Sequence, residues 1–176
     1  DFMYQYALPI LNERAGTGNP FFSVLLSISN HPPYVIPPYF HPHSDVLEEQ
    51  IVEYADWSIR QFMQAAEKQP WFDNTIFVFL GDHGKMVGTP ECEMPQSYNH
   101  IPLMIYGKDI KPGVYDGFGG QVDVSPTLLG LLNISYLQNN FGVNLLEEER
   151  PCMFFTADNL IGARDSVNMF IYSPDS

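Results

Sequence analysis

The sequence predicts an α/β domain built around a mostly parallel β-sheet. Three dense apolar runs, at residues 21–29, 75–81 and 100–107, have the composition of strands that are buried on both faces. Segments with helical periodicity follow the first and the third of these runs. Because strands that alternate with helices are typical of parallel sheets, we expect this architecture, and 176 residues suffice for one domain with its own core.

The first two elements are predicted from apolar patterning and from prolines. The strand at 21–29 ends in "NHPPY", where two prolines prevent further pairing. A helix then follows, with Ser44 or Asp45 as a candidate N-cap and with Pro70 beyond its end. Its apolar residues recur at helical spacing: Leu47, Ile51, Ala55, Ile59, Phe62 and Ala66.

The remaining elements are predicted in the second half of the chain. After the strands at 75–81 and 100–107 we expect a helix at 122–134, with Ser125 as its N-cap and Pro126 in its first turn. Two further strands are expected at 152–159 and 166–173, joined by a turn near residues 163–165.

Composition excludes several classes of partner. The net charge is −13 at pH 7, with 8 basic and 21 acidic residues, which argues against binding to nucleic acid or to an anionic membrane surface. A small anionic substrate remains compatible, because a bound metal ion can outweigh the global charge locally. The two cysteines, Cys92 and Cys152, can pair or stay free.

Asp82 and His83 directly follow the strand at 75–81 in "TIFVFLGDHG". Ligands of open α/β sheets bind at the carboxyl ends of the strands, and carboxylate and imidazole are both good ligands for Zn²⁺ or Mn²⁺. Gly81 and Gly84 allow the backbone to turn sharply, so that the two side chains can face one ion. The alternative is a structural aspartate that caps the following turn.

Three further side chains are candidates for substrate binding: His31, Lys85 and His100. His31 follows the first predicted strand, so that it could share a rim with His83, although a histidine before proline is more often a plain loop residue. Lys85 could meet a substrate anion or be a solvated lysine, and His100 could equally be a packed residue. Asp123 could hydrogen-bond a neighbouring loop or cap its own helix.

Five phrases resemble one family in their order and spacing: "FFSVLLSISNHPPY", "YADWSIRQFM", "TIFVFLGDHG", "MPQSYNHIPLMIYG" and "QVDVSPTLLGLLNI". The chain resembles the sulfatase-like branch of the alkaline phosphatase superfamily, and within it the lipoteichoic acid synthase and phosphoglycerol transferase group. The resemblance covers residues 20–134. It implies a three-layer αβα fold, of which residues 1–176 would be a single partial domain, the C-terminal portion.

The resemblance also implies a mechanism. Asp82 and His83 match the pair that holds a divalent metal ion (Mn²⁺ or Zn²⁺, with Mg²⁺ or Ca²⁺ as alternatives), and His31 matches a histidine that contacts the oxygens of a sulfate or phosphate ester. The family nucleophile, a threonine or a formylglycine, would lie upstream in the same polypeptide. We therefore expect this chain alone to be inactive.

Relatives of the transferase type imply an extracytoplasmic catalytic domain, on the periplasmic side or cell surface, anchored by N-terminal membrane helices. This segment itself has no run of about 18 apolar residues, and no membrane contact is expected from it. Sulfate and phosphate esters, and hydrolysis and transfer, are not separated by these residues. Two alternatives remain: a non-catalytic binding domain derived from the same fold, and an α/β domain whose Asp-His pair is structural.

Overall fold

The computed structural model describes residues 1–157 and 159–174. Its helices are α1 (Phe2–Gly16), α2 (Leu47–Ala66), α3 (Gln96–Asn99) and α4 (Gln121–Leu131), with a 3₁₀ turn at Phe72–Asn74. Its strands are β1 (Phe77–Leu80), β2 (Leu103–Tyr106), β3 (Met153–Ala157), β4 (Leu160–Arg164) and β5 (Met169–Tyr172). The chain forms two compact units. Unit 1 comprises Asp1–Phe77 and Tyr106–Asp109, and unit 2 comprises Val78–Ile105 and Ile110–Ser176.

Unit 1 is built on the packing of α1 against α2. Leu11, Phe62 and Ala66 form a buried apolar cluster, and the aromatic rings of Trp71 and Phe77 pack against it. Helix α1 was not predicted, because its apolar residues are spread around the helix rather than gathered on one face.

The helical periodicity of α2 is confirmed. Its buried residues recur every three or four positions: Ile51, Tyr54, Ser58, Phe62 and Ala66. The predicted N-cap is wrong, because Val46 precedes the helix and makes no side-chain cap. The hydroxyl of Ser44 instead accepts the N–H of Val46 at 3.0 Å.

The segment at 21–29 is not a strand, contrary to prediction. Phe22, Leu26 and Ile28 are 84%, 74% and 80% exposed. A strand requires a hydrogen-bonded neighbour, and within the described residues this run belongs to neither sheet. An apolar run alone therefore does not establish pairing.

Unit 2 contains α4, which begins four residues earlier than its predicted N-cap. Gly120 is the N-cap, and its N–H donates to the Asp123 carboxylate at 2.9 Å. Ser125 as N-cap is therefore wrong, because Asp123 already satisfies the helix start one turn upstream. Pro126 lies inside the helix rather than at its start.

The chain after residue 150 forms an antiparallel sheet in the order β3-β4-β5. Three strands replace the two predicted ones, and Ala163 and Arg164 lie within β4 instead of in a turn. The turn comes later, where the Asp165 carboxylate accepts the N–H groups of Val167 and Asn168 at 2.8 and 2.6 Å. Asp158, in the predicted strand at 152–159, lies outside the described residues.

The fold class is α/β, with small sheets. β1 and β2 form a two-stranded sheet that is separate from the three-stranded antiparallel one. Across residues 1–157 and 159–174, no helix combines the length and the apolar character needed to span a bilayer.

Candidate functional site

Asp82 and His83 lie together directly beyond the end of β1. The Oδ2 atom of Asp82 is 3.9 Å from Nε2 of His83, and the two side chains are 78% and 56% exposed. The other carboxylate oxygen of Asp82 accepts the backbone N–H of His83 at 2.9 Å. The carboxylate and the imidazole are therefore close to each other and open to solvent.

The imidazole of His83 is oriented by its own loop. Its Nδ1 lies 2.8 Å from the carbonyl oxygen of Gly84. Because a carbonyl can only accept, Nδ1 carries the proton in the neutral ring, and Nε2 keeps the lone pair that a metal ion would need. The ring of Tyr98 stacks on the imidazole with centroids 5.4 Å apart and an angle of 19° between the planes.

Backbone contacts hold both ends of this loop. The N–H of Gly81 donates to Pro102 at 3.2 Å, and the N–H of Gly84 donates to Tyr98 at 2.7 Å. A Cβ atom on Gly84 would lie 2.0 Å from the carbonyl oxygen of Ser97. The glycine at position 84 thus permits the close approach of two backbone segments.

Gln121, the first residue of α4, reaches the same loop. Its Nε2 donates to the carbonyl oxygens of Gly81 and Asp82 at 3.1 and 2.8 Å. Sequence reasoning missed this residue, because 39 positions separate it from Asp82 and no local motif marks the contact.

Asp123 anchors the start of α4 from within the protein. Its side chain is fully buried and forms an ion pair with Arg150, whose Nε donates to Oδ2 at 2.7 Å and whose Nη2 donates to Oδ1 at 2.5 Å. The carboxylate also accepts the N–H groups of Gly120 and Val143, at 2.9 and 2.8 Å. Both predicted roles, helix cap and loop partner, are confirmed.

Burial alone would raise the pKa of Asp123. The hydrogen bonds from Arg150, Val143 and Gly120 outweigh burial, so that the pKa of this carboxyl lies below its ordinary value. The group is therefore ionised at neutral pH and pairs with a charged guanidinium.

Asp82 and His83 fit a divalent cation in chemistry and in access. One provides an exposed carboxylate, and the other provides an imidazole whose Nε2 lies 3.9 Å from that carboxylate. Within residues 1–157 and 159–174, no three side chains of His, Cys, Asp or Glu come together as a metal-binding group. The described residues thus offer a pair of ligands.

The other predicted site residues are exposed. Lys85 lies one residue beyond Gly84, and His100 caps the end of α3, where its N–H donates to Gln96 at 2.7 Å. His31 lies in unit 1, with Nδ1 2.9 Å from the carbonyl oxygen of Pro32. A shared rim between His31 and His83 stays a prediction.

The structure also describes a surface histidine and both cysteines. The backbone N–H and Nδ1 of His43 contact the Glu53 carboxylate at 2.7 and 3.2 Å, on the surface of unit 1. Cys92 and Cys152 are free thiols.

Comparison with known proteins gives relatives of two kinds. Lipoteichoic acid synthase 1 of Bacillus subtilis (strain 168) is 26% identical over 87% of this chain, which spans 28% of that protein. The choline-sulfatase of Rhizobium meliloti (strain 1021) is 29% identical over 61% of the chain, which spans 22% of that enzyme. The chain therefore spans less than a third of each of these relatives.

A solved structure agrees with these relatives. A protein in the alkaline phosphatase superfamily from Vibrio parahaemolyticus superimposes with a TM-score of 0.87 and 27% identity, over 98% of this chain and 43% of that one. The resemblance that the five phrases carry is thereby confirmed. The sequence model of the Sulfatase family matches residues 1–134. Because that match takes in well over half of the 176 residues, the chain belongs to the sulfatase family.

Proposed function

We propose that this chain is part of a metal-dependent enzyme that cleaves or transfers phosphate or sulfate esters, and that Asp82 and His83 hold its metal ion. The observation that carries the proposal is the exposed pair itself, with Oδ2 and Nε2 3.9 Å apart at the end of β1. Mn²⁺ and Zn²⁺ suit a mixed carboxylate and imidazole site better than Mg²⁺ or Ca²⁺, which favour oxygen ligands.

The residues of the loop have separate roles in this proposal. The carbonyl of Gly84 holds the His83 imidazole in the tautomer that leaves Nε2 free. Lys85 and His100 bind the non-bridging oxygens of the ester, since each is exposed and can donate to an anion. A divalent ion, when bound, would neutralise charge that develops on the transferred group and lower the pKa of the nucleophile.

The proposal includes groups from outside these 176 residues. Two ligands replace only part of the hydration shell of a divalent ion, whereas closed protein sites commonly use about four. We therefore place the remaining ligands and the nucleophile upstream in the same polypeptide. The chain by itself then binds metal weakly and turns over no substrate.

The relatives support both ester classes, and we propose an extracytoplasmic setting for the catalytic domain. A lipoteichoic acid synthase and a choline-sulfatase are named among them, so that transfer and hydrolysis both have precedent. We propose the phosphoglycerol transferase type, with N-terminal membrane helices in the complete protein. The complete domain would extend β1 and β2 into a mostly parallel sheet within a three-layer fold.

An activity assay on the complete gene product tests this function. Aryl phosphate and aryl sulfate esters are offered with Mn²⁺, and the Asp82→Ala and His83→Ala variants are compared with the parent. We expect turnover of one ester class that both substitutions abolish. Turnover that survives both substitutions contradicts the proposal, and metal binding without turnover of either ester supports the non-catalytic alternative.

A further inference from the structure

We infer that Gln121 is a positioning residue for the proposed metal-binding loop, an inference that rests on the proposed function of Asp82 and His83. Its side-chain amide donates from one nitrogen to two consecutive carbonyl oxygens, those of Gly81 and Asp82. These carbonyls belong to the two peptide planes on either side of the Asp82 Cα atom. Since those planes define φ and ψ of Asp82, the amide restrains the direction of the Cα–Cβ bond from which the carboxylate extends.

The loop needs this restraint because little else packs against its functional side chains. Asp82 and His83 are 78% and 56% exposed. Exposed loop segments with few buried contacts open at low cost in free energy. Other restraints on the loop are the backbone bonds of Gly81 and Gly84 and the stacking of Tyr98. Within the loop, the N–H of His83 donates to the Asp82 carboxylate, and Nδ1 of His83 contacts the carbonyl of Gly84. None of these contacts involves the carbonyl of Asp82.

Gln121 can impose the restraint because its own backbone is anchored. It lies between Gly120 and Asp123, which are joined by the capping hydrogen bond at 2.9 Å. Asp123 is fully buried, and Arg150 and the N–H of Val143 hold its carboxylate. The first turn of α4 is thus tied to the buried ion pair, and the Gln121 side chain extends from it to the loop.

Gln121 can be substituted to test its positioning role without unfolding the protein. The Gln121 side chain is exposed, so that shortening it or removing its amide opens no cavity. Outer residues that orient metal ligands typically change metal affinity by about 10- to 100-fold when substituted. We expect a loss of this order without global unfolding.

The test uses the complete gene product and two variants of the same position. Gln121→Met keeps the length and removes the donor, while Gln121→Asn keeps the amide and withdraws it by one methylene. Gln50→Met is the matched control, because the amide of Gln50 also donates to a backbone carbonyl at a helix start, that of Ser44 at 2.9 Å. Four quantities are measured for the parent and for each variant. Two are the affinity for Mn²⁺ and the thermal midpoint. The other two, measured on the metal-free protein, are the ¹⁵N chemical shifts of the His83 imidazole and the amide hydrogen exchange of His83 and Gly84.

We expect both Gln121 variants to bind Mn²⁺ about tenfold or more weakly and to exchange the loop amides faster, with a thermal midpoint close to the parent's. Gln50→Met leaves Mn²⁺ affinity, His83 shifts and loop exchange unchanged. Parent-like affinity and exchange in Gln121→Met overturn the inference, as does a loss that appears only together with global unfolding.

Measurements on the metal-free protein separate a failure of the proposed metal site from a failure of the inference about Gln121. If the parent binds no Mn²⁺ and Asp82→Ala changes nothing, the proposed function fails. The exchange rates and imidazole shifts of the metal-free protein still decide whether Gln121 orders the loop. If the parent binds Mn²⁺ and Gln121→Met binds it equally well, only the inference about Gln121 fails.

Discussion

The guanidinium of Arg150 donates to both carboxylate oxygens of Asp123, from Nε to Oδ2 at 2.7 Å and from Nη2 to Oδ1 at 2.5 Å. The Asp123 side chain is 0% exposed and that of Arg150 is 19% exposed. The same guanidinium donates to the carbonyl of Phe141 at 2.6 Å. One buried pair thus connects the start of α4 to the segment around residues 141–143.

Asp123→Asn is therefore expected to destabilise the protein strongly. The substitution leaves a largely buried guanidinium without its counter-charge, and breaking such a pair costs about 3–5 kcal/mol. Urea unfolding of parent and variant measures the difference. Asp56→Asn is the matched control, because the Arg60–Asp56 pair on α2 is 64% and 69% exposed, and such pairs contribute only about 0.3–0.5 kcal/mol. If Asp123→Asn and Asp56→Asn lower the free energy of unfolding equally, the Asp123–Arg150 pair does not stabilise the protein as a buried ion pair.

The contribution of Asp123 depends on pH in a defined direction. Its pKa in the folded protein lies below the ordinary value of 3.8, because hydrogen bonds, first from Arg150, outweigh burial. The stabilisation is therefore fully present above the unfolded pKa and is lost as pH falls through the lower folded pKa. The difference in unfolding free energy between parent and Asp123→Asn should be constant from pH 7 to about 5 and shrink below about pH 4. A difference that grows on acidification contradicts this sign.

Gly84→Ala tests the close approach that holds the metal-binding loop. The new Cβ would lie 2.0 Å from the carbonyl oxygen of Ser97, so that the backbone contact between Gly84 and Tyr98 must open. We expect a destabilisation of about 1–3 kcal/mol and a change in the environment of the Tyr98 ring. In Gly113→Ala no atom lies within 4 Å of the new Cβ, and the change should stay within about 0.5 kcal/mol. If Gly84→Ala leaves the free energy of unfolding unchanged, the close approach of Gly84 to the Ser97 carbonyl is contradicted.

Lys85→Met tests the proposed contact with the ester. Loss of one charge-assisted hydrogen bond to a substrate anion costs about 1.5–3 kcal/mol, which corresponds to roughly tenfold or more in kcat/KM. Mn²⁺ affinity should not fall, because Lys85 is no metal ligand. Lys68→Met, a second exposed lysine just beyond α2, should leave both quantities unchanged. Unchanged kcat/KM in Lys85→Met removes that residue from the substrate site.

Sequence reasoning succeeded where local chemistry decides the structure. The apolar spacing of α2 predicted a buried stripe that includes Ile51 and Phe62. The apolar run at 75–81 predicted the strand that ends just before Asp82. The two possible roles of Asp123 were both correct, because its short carboxylate reaches the helix start and the neighbouring loop together.

The failures arose where the outcome depends on distant partners. The apolar run at 21–29 reads as a strand, but strand formation requires a neighbour, and the run belongs to neither sheet of the described chain. Ser125 is a good N-cap residue by type, yet α4 begins one turn earlier, with Gly120 as its N-cap and the Asp123 carboxylate accepting the Gly120 N–H. Gln121 could not be predicted, because its role lies in a contact with a loop 39 residues away.

Binding of Mn²⁺ to the complete gene product, measured by calorimetry for the parent and for Asp82→Ala and His83→Ala, decides whether these two side chains hold the ion. We expect one tight site in the parent that either substitution weakens by at least about 100-fold, since each removes a ligand. Parent-like affinity in both variants would show that the ion is held elsewhere, and the proposed metal site would then be wrong.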